Sequence, residues 1–183
     1  QEIHDTGGLK CRIEVPFHYK NDKQLSDLQE ADYMRRTWNG DHLWCNRVKL
    51  FMDGVLDSGT AFVLDGYPDD PASTGDPLFS AEQFNEIAAQ CDRRGFQIAV
   101  HAIGDAAVRR TLDGYQAAQD ANGERDSRHR IEHIEIIAEA DIERFAGLGV
   151  IASMQPLHAL GTKAYPLEPT RSKIGDAKLA RAF

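Results

Sequence analysis

Short apolar runs alternate with helix-like stretches along most of this 183-residue chain, and this alternation constrains the fold more than any other feature. Residues 47–52 are rich in β-forming side chains and stop at Asp53-Gly54, and residues 96–101 form a second such run. Between them, one apolar stripe with helical spacing consists of Phe84, Ile87, Ala88 and Cys91. A strand, a helix and another strand in this order indicate parallel strands joined by a crossover helix.

The same rhythm continues before and after this unit. Further strands are predicted at residues 11–16, 130–133 and 149–154, and further helices at 23–38, 105–121, 139–146 and from about residue 172 onward. Residues 54–79 show no period, and a loop of this length in a compact domain is often functional. The predicted fold class is therefore α/β with about five βα units, either in a doubly wound sheet or in part of a (β/α)8 barrel, which when complete takes roughly 250 residues.

The composition is that of an acidic globular protein. The chain has 29 Asp and Glu residues against 21 Lys and Arg, a net charge of −8, and 42% of its residues are hydrophobic. These proportions exclude a disordered chain, and no run approaches the roughly 20 apolar residues of a membrane span. The acidic balance argues against nucleic acid as a partner. Three widely spaced cysteines give neither a disulfide framework nor a metal-binding pair, which favours a reducing, cytoplasmic compartment.

Reactive side chains fall at the ends of three predicted strands. Lys49 lies within one strand, and His101 and His133 end the next two, with separations of 52 and 32 residues that suit successive βα units. In both architectures the active site lies at the carboxyl ends of the strands. Because neutral imidazoles at adjacent strand ends can bind one metal ion, Lys49, His101 and His133 are the candidate catalytic and metal-binding residues.

Lys49 is unusual because a lysine inside an apolar strand loses hydration unless its charge is paired. Three roles remain open for it. The amine can pair with an acidic neighbour such as Asp53 or Glu132, or form a Schiff base with a carbonyl substrate. Alternatively, CO2 can convert it to a carbamate, which is an anionic ligand able to bridge two metal ions.

Other polar residues are weaker candidates. His158 and Gln155 follow a predicted strand and are expected to contact the substrate, whereas Glu132 and Asp105 are expected to support the metal ligands from outside. Asp105 also opens a helix, so capping is its default role. Turn formation is expected of Asp53 and Asp57, solvent exposure of His4, His18 and His42, and no metal binding of His129, which lies between two arginines.

Four motifs, taken together, resemble the amidohydrolase superfamily. They are Val48–Gly54 with Ser58–Ala61, then Ala99–Asp105, Arg128–His133 and Gly149–Pro156. The branch that they resemble is amidohydrolase family 3, the YtcJ-like group that includes N-substituted formamide deformylases.

This resemblance implies a metal-dependent hydrolase on a (β/α)8 barrel. It implies one or two divalent metal ions, zinc above all, and a metal-activated water that cleaves a non-peptide, amide-type carbon–nitrogen bond of a small molecule. Lys49 would be the lysine of barrel strand four, open to carboxylation, and His101 and His133 the ligands from strands five and six.

The chain departs from the family pattern in two places. It has no His-x-His pair of the kind found on the family's first strand, and no equivalent of the eighth-strand aspartate. Residues 1–183 are therefore expected to be a single incomplete barrel segment, without the first and last barrel strands or the terminal β-sandwich domain, and inactive alone. Its open sheet edges would be covered by a homo-oligomer or by the remainder of the same barrel. A Schiff-base lyase using Lys49 and a non-catalytic regulatory scaffold are the alternative functions.

Overall fold

The computed structural model describes residues 2–159, 161 and 167–182. The strands in these residues are β1 (Ile13–Glu14), β2 (Phe17–His18), β3 (Leu43–Trp44), β4 (Arg47–Phe51), β5 (Gln97–Ala102), β6 (Arg130–His133) and β7 (Ile151–Ser153). The α-helices in the same part of the chain are α1 (Glu2–Asp5), α2 (Leu28–Thr37), α3 (Ala81–Arg93), α4 (Asp105–Asn122), α5 (Glu139–Gly147) and α6 (Leu167–Leu179). Within the described ranges, no helix has the length and apolar character needed to cross a membrane.

Five of these strands form one parallel sheet in the order β2-β4-β5-β6-β7. The strand order follows the chain without reversal, whereas a doubly wound sheet reverses its order at a switch point. The sheet therefore has the topology of a partial (β/α)8 barrel, which confirms the predicted fold class.

The two faces of this sheet differ because side chains alternate along each strand. Val48 and Leu50 of β4 and Ile98 and Val100 of β5 are fully buried in a core shared with α2, α3, α4 and α5. Lys49 and the other residues between these positions lie on the opposite face, which would be the interior of a closed barrel. The helix-covered face stabilises the segment and leaves polar side chains on the face where a barrel enzyme binds its substrate.

Helices α3 and α4 follow the sequence signals closely. At the start of α3, the Ser80 hydroxyl accepts a hydrogen bond from the Gln83 amide, and the Gln83 side chain accepts one from the Ser80 amide. This is the capping box that the sequence predicts. The two helices approach so closely that a Cβ at Gly114 would lie 2.3 Å from the Phe84 ring.

The structure differs from the sequence prediction at both ends of the chain. The expected strand at residues 11–16 is reduced to β1, which pairs with β3, and a separate strand, β2, follows at Phe17–His18 and joins the main sheet. The break between them falls at Pro16, because proline has no N–H to donate to a strand ladder. The last helix begins at Leu167, five residues earlier than expected, and bends at Gly175, where φ is +76°.

A buried ionic cluster lies at the amino-terminal ends of β5 and β6, opposite the candidate site. Asp92 is 4% exposed and accepts hydrogen bonds from Asn122 (2.9 Å) and Arg125 (2.6 Å). The Nδ1 atom of His129 accepts the Ile98 N–H at 3.1 Å, so the ring proton lies on Nε2, which is 3.2 Å from the Asp92 carboxylate. His129 therefore has a structural role in this cluster.

This cluster predicts a specific loss of stability in acid. Burial alone would raise the pKa of Asp92, but the His129 ring 3.2 Å away, the hydrogen bond from Asn122 and the charge of Arg125 lower it to about 2. A lowered pKa in the folded state means that stability is present above the unfolded pKa and is lost as the pH falls. We expect about 2 kcal/mol to disappear between about pH 4 and about pH 2. Urea unfolding should show that this acid-dependent loss is absent in Asp92→Asn and retained in a control, Asp126→Asn, at an exposed ion pair.

Candidate active site

His101 is held at the carboxyl end of β5 as a neutral imidazole. The residue is 7% exposed, and burial lowers the pKa of its ring to about 4. Its Nε2 atom lies 2.9 Å from the Gly54 carbonyl oxygen, which can only accept a hydrogen bond. The ring proton is therefore on Nε2, and the lone pair is on Nδ1.

His133 reaches the same place through an unusual backbone conformation. Alternation along β6 would turn its side chain to the helix-covered face with Ile131, but φ is +77° at His133 and +54° at Ile134. With this backbone, the His133 ring lies 4.6 Å from the His101 ring, centroid to centroid. A left-handed backbone is unfavourable by about 1–3 kcal/mol for each residue other than glycine. Strain of this kind is concentrated at functional sites.

The Gln155 side chain determines which nitrogen of His133 carries the proton. Its Oε1 atom lies 2.7 Å from His133 Nδ1, and its Nε2 atom donates to the Ser153 carbonyl at 3.2 Å. Because the amide nitrogen faces a carbonyl, the amide oxygen faces the imidazole, and Nδ1 of His133 must donate. The Nε2 atom of His133 then bears the lone pair. Burial lowers the pKa of this imidazole too.

Lys49 lies on the same face of the sheet, in register with His18 of β2 and Ala99 of β5. Its Nζ atom is 4.9 Å from the centroid of the Phe51 ring, which in turn packs 4.9 Å from the His101 ring. Burial lowers the pKa of Lys49 to about 8, although the charge of Glu132 acts in the opposite direction. About a tenth of this amine is therefore uncharged at pH 7, far more than for an ordinary lysine.

Glu132 and Asp105 are both held by other protein groups. The Glu132 carboxylate binds Arg130 in two hydrogen bonds of 2.5 and 3.1 Å. Asp105 is the first residue of α4, directly after the N-cap residue Gly104, and its carboxylate accepts the Leu64 N–H and pairs with Arg181. Asp105 thus joins the long loop and the C-terminal residues to α4, and its part in supporting the metal ligands stays a prediction.

Asp53 is a buried residue beside the candidate site that the sequence pattern indicates only as a turn residue. It is 2% exposed and accepts the backbone N–H groups of Phe62, Ile103 and Gly104 at 2.9–3.0 Å. Its carboxylate also lies 3.7 Å from Nε2 of His101. Burial raises the pKa of Asp53 to about 7, against the effect of these three hydrogen bonds. The one available signal was its position directly after a buried strand that carries Lys49.

A cavity of about 450 Å³ lies beside the two imidazoles. The His158 ring stacks on the His133 ring with a centroid distance of 5.4 Å and an interplanar angle of 7°. Its Nδ1 atom is 3.0 Å from the Glu135 carboxylate, which is 7% exposed. The remaining wall includes Val55, Leu56, Ile103 and Pro169. The cavity thus combines apolar surface with a few polar groups next to His101 and His133, as small-molecule sites do.

The donor set fits a divalent cation in part. Within residues 2–159, 161 and 167–182, no three His, Cys, Asp or Glu side chains are grouped as metal ligands. The site instead offers two neutral imidazoles and the amine of Lys49. In each imidazole one nitrogen is committed to a protein acceptor and the other keeps its lone pair, which is the arrangement expected of metal-binding histidines.

Comparison with known proteins supports this interpretation. LONG AFTER FAR-RED 3 from Arabidopsis thaliana is 40% identical over 118 residues, which is 64% of this chain and 20% of that protein. N-substituted formamide deformylase from Arthrobacter pascens is 28% identical over 140 residues, which is 75% of this chain and 25% of that protein. A solved structure, an uncharacterized metal-dependent hydrolase from Pyrococcus furiosus, matches with a TM-score of 0.78 and 27% identity over 100% of this chain and 35% of its own.

The fold is that of a partial α/β barrel, similar to the metal-dependent hydrolase from Pyrococcus furiosus. The sequence model of the amidohydrolase family matches residues 1–176. The chain therefore belongs to the amidohydrolase family, as its motifs indicated. It spans about a quarter or less of the length of the two curated relatives.

Proposed function

We propose that this chain carries part of the active site of a metal-dependent hydrolase that cleaves amide-type, non-peptide carbon–nitrogen bonds of small molecules. The pairing of His101 and His133 supports this proposal most strongly, because two neutral imidazoles from adjacent strands each retain one nitrogen for a ligand. N-substituted formamides are the first substrates to test, since one relative is named for deformylating them.

The nitrogens available for a divalent cation, which we propose to be zinc, are Nδ1 of His101 and Nε2 of His133, with Lys49 as a third ligand. When bound, such a cation would polarise the substrate carbonyl and activate water for attack on it. We propose that His158 contacts the substrate in the adjacent cavity, since its ring stacks on His133 and Glu135 fixes the orientation of that ring.

Lys49 would serve as a ligand in its carboxylated form. Its uncharged amine can attack CO2, forming a C–N bond and releasing one proton, to give a carbamate with anionic oxygens. The pKa of about 8 supports this chemistry, because only the uncharged amine is nucleophilic. The same property favours a second candidate function, a Schiff-base lyase in which Lys49 attacks a carbonyl substrate.

We further propose that the isolated chain has little or no activity and that further protein covers its sheet. The compartment that we propose for it is the cytoplasm. Phe51 and Ile151 are 37% and 40% exposed on the face that would be the interior of a closed barrel. The remainder of the same barrel, or a second copy in a homo-oligomer, would bury these side chains and pair the free edges of β2 and β7.

Metal content and covalent trapping distinguish the two functions. After dialysis against zinc, elemental analysis should find about one Zn²⁺ per chain, as expected for one site with two imidazole ligands. Assays of N-substituted formamides, run with the protein that completes the barrel, should release amine only in the presence of metal. Borohydride labelling of Lys49 with a carbonyl substrate, together with an absence of bound zinc, would contradict the hydrolase proposal and support the lyase.

A further inference from the structure

We propose that Gln155 is a positioning residue that fixes His133 in its Nδ1–H tautomer, so that Nε2 of this imidazole is presented to the cation. The importance of this role for metal binding rests on the proposed function. The tautomer itself follows from contacts in the metal-free protein. The tautomer assignment and the proposed function can therefore be contradicted by different results.

The orientation of the Gln155 amide is determined by two contacts. Its Nε2 atom donates to the Ser153 carbonyl at 3.2 Å, and Ser153 is the last residue of β7. Its Oε1 atom lies 2.7 Å from Nδ1 of His133. A rotated amide would place its NH2 group against the imidazole and its oxygen against the Ser153 carbonyl, which are two acceptors facing each other. Both ends of the side chain are therefore used on protein groups, and we assign Gln155 to His133 rather than to the substrate.

The backbone of Gln155 is fixed as well. Register pairs Glu132 of β6 with Ser153 of β7, so Gln155 lies just beyond the end of β7, beside His133. Its carbonyl oxygen accepts the His158 N–H at 2.9 Å at the start of the 3₁₀ helix Pro156–His158. Because this segment is anchored, the Gln155 side-chain amide is held in a fixed position relative to the His133 ring.

His133 needs such a partner more than His101 does. The backbone around His133 is left-handed at two consecutive residues, so the local chain does not by itself favour this ring position. A hydrogen bond from the ring to the neighbouring strand offsets part of that strain and selects one tautomer. His101 obtains the equivalent contact from a backbone carbonyl, that of Gly54.

The Gln155 amide and the Gly54 carbonyl, which accept hydrogen bonds from the two imidazoles, are both uncharged. Their neutrality affects whether the two rings stay neutral. A neutral amide or carbonyl selects a tautomer without stabilising the imidazolium form strongly, whereas a carboxylate would do both. Gln155 therefore keeps the His133 lone pair available while the ring stays neutral.

The tautomer can be measured directly in the metal-free protein of 183 residues. Two-bond ¹H–¹⁵N correlation spectra separate protonated from unprotonated ring nitrogens, and we expect His133 to carry its proton on Nδ1. In Gln155→Leu, whose side chain is one atom shorter and has no hydrogen-bond acceptor, the Nε2–H form should become populated. In Gln155→Glu, which keeps an acceptor, Nδ1–H should persist.

Metal affinity provides the second measurement, by competition for Zn²⁺ with a chromophoric chelator. Loss of an outer contact to a metal-binding histidine typically weakens affinity by about 10–100-fold, which is the change expected for Gln155→Leu. Gln155→Glu should restore the affinity to within a few-fold. Gln29→Leu makes the same change at an exposed position of α2 and should alter neither tautomer nor affinity.

A proton on Nε2 of His133 in the unmodified protein would overturn the proposal, and this result requires no variant to fold. Unchanged tautomer and affinity in Gln155→Leu would also overturn it. If the unmodified protein showed the expected tautomer but bound no Zn²⁺, the proposed function would be contradicted, while the hydrogen bond from His133 to Gln155 would stand.

Discussion

Replacing His133 with alanine is expected to eliminate stable Zn²⁺ binding. The substitution removes one of the two imidazoles, so affinity should fall by more than the roughly 10–100-fold expected from loss of an outer-shell partner. Elemental analysis after dialysis and chelator competition both measure this effect. His42→Ala, at an exposed histidine far along the chain from the imidazole pair, is the matched control and should keep its metal.

The positive φ at His133 calls for a second variant, because alanine keeps the strained backbone without the hydrogen bond to Gln155. Asparagine adopts the left-handed conformation more readily than most residues, so His133→Asn should fold well. It should still lose the metal, since an amide is a weak ligand beside an imidazole. Full zinc content in His133→Asn would show that His133 is not a ligand.

Gly104→Ala should produce the largest loss of stability among the single substitutions considered for this fold. A Cβ at Gly104 would lie 2.0 Å from the Phe62 carbonyl oxygen and 2.6 Å from its carbon. The Phe62 backbone cannot simply move, because its carbonyl accepts the Ala107 N–H and its own N–H is bound to Asp53. We expect a destabilisation at or above the upper end of the roughly 1–3 kcal/mol usual for overpacking.

Urea unfolding measures this loss, and Gly147→Ala provides the control. Gly147 is the last residue of α5, and a Cβ there would meet no atom within 4 Å. Alanine should therefore leave stability unchanged or raise it by about 0.5–1 kcal/mol, as it does elsewhere in helices. A Gly104→Ala protein within about 0.5 kcal/mol of the original would mean that the loop is not packed against α4 as described.

Gly104→Ala should also weaken metal binding, because Gly104 and Phe62 both donate to the carboxylate that lies 3.7 Å from His101. The long loop, the start of α4 and the imidazole are joined through Asp53. Gly104, which stabilises the fold, and His101, a candidate metal ligand, are thereby coupled through the buried Asp53 carboxylate.

The sequence predicted those parts of the fold that depend on neighbouring residues. The capping box at Ser80 and the apolar stripe of α3 involve contacts within a few positions, so a periodic pattern reveals them. His101 and His133 were selected as candidate ligands on a different ground, because parallel strands bring their carboxyl ends to one edge.

The parts that the sequence did not reveal depend on contacts between distant residues. Asp53 resembles an ordinary turn residue, since its partners Ile103 and Gly104 lie 50 and 51 positions away. The position of His133 could not be predicted either, because strand alternation alone would have placed it on the other face. The burial of His129 follows from Asp92, 37 positions earlier in the chain, whose carboxylate compensates for the neighbouring arginine charges.

Because of the left-handed turn at His133 and Ile134, the proposed cation site would depend on the assembled sheet rather than on a contiguous motif. A synthetic peptide spanning Arg128–Ile134 would relax to an extended backbone, turn its imidazole away and lose the amide that orients it. Transferring His133 with its orientation to another protein would therefore require the ends of both β6 and β7, together with Gln155, which follows β7.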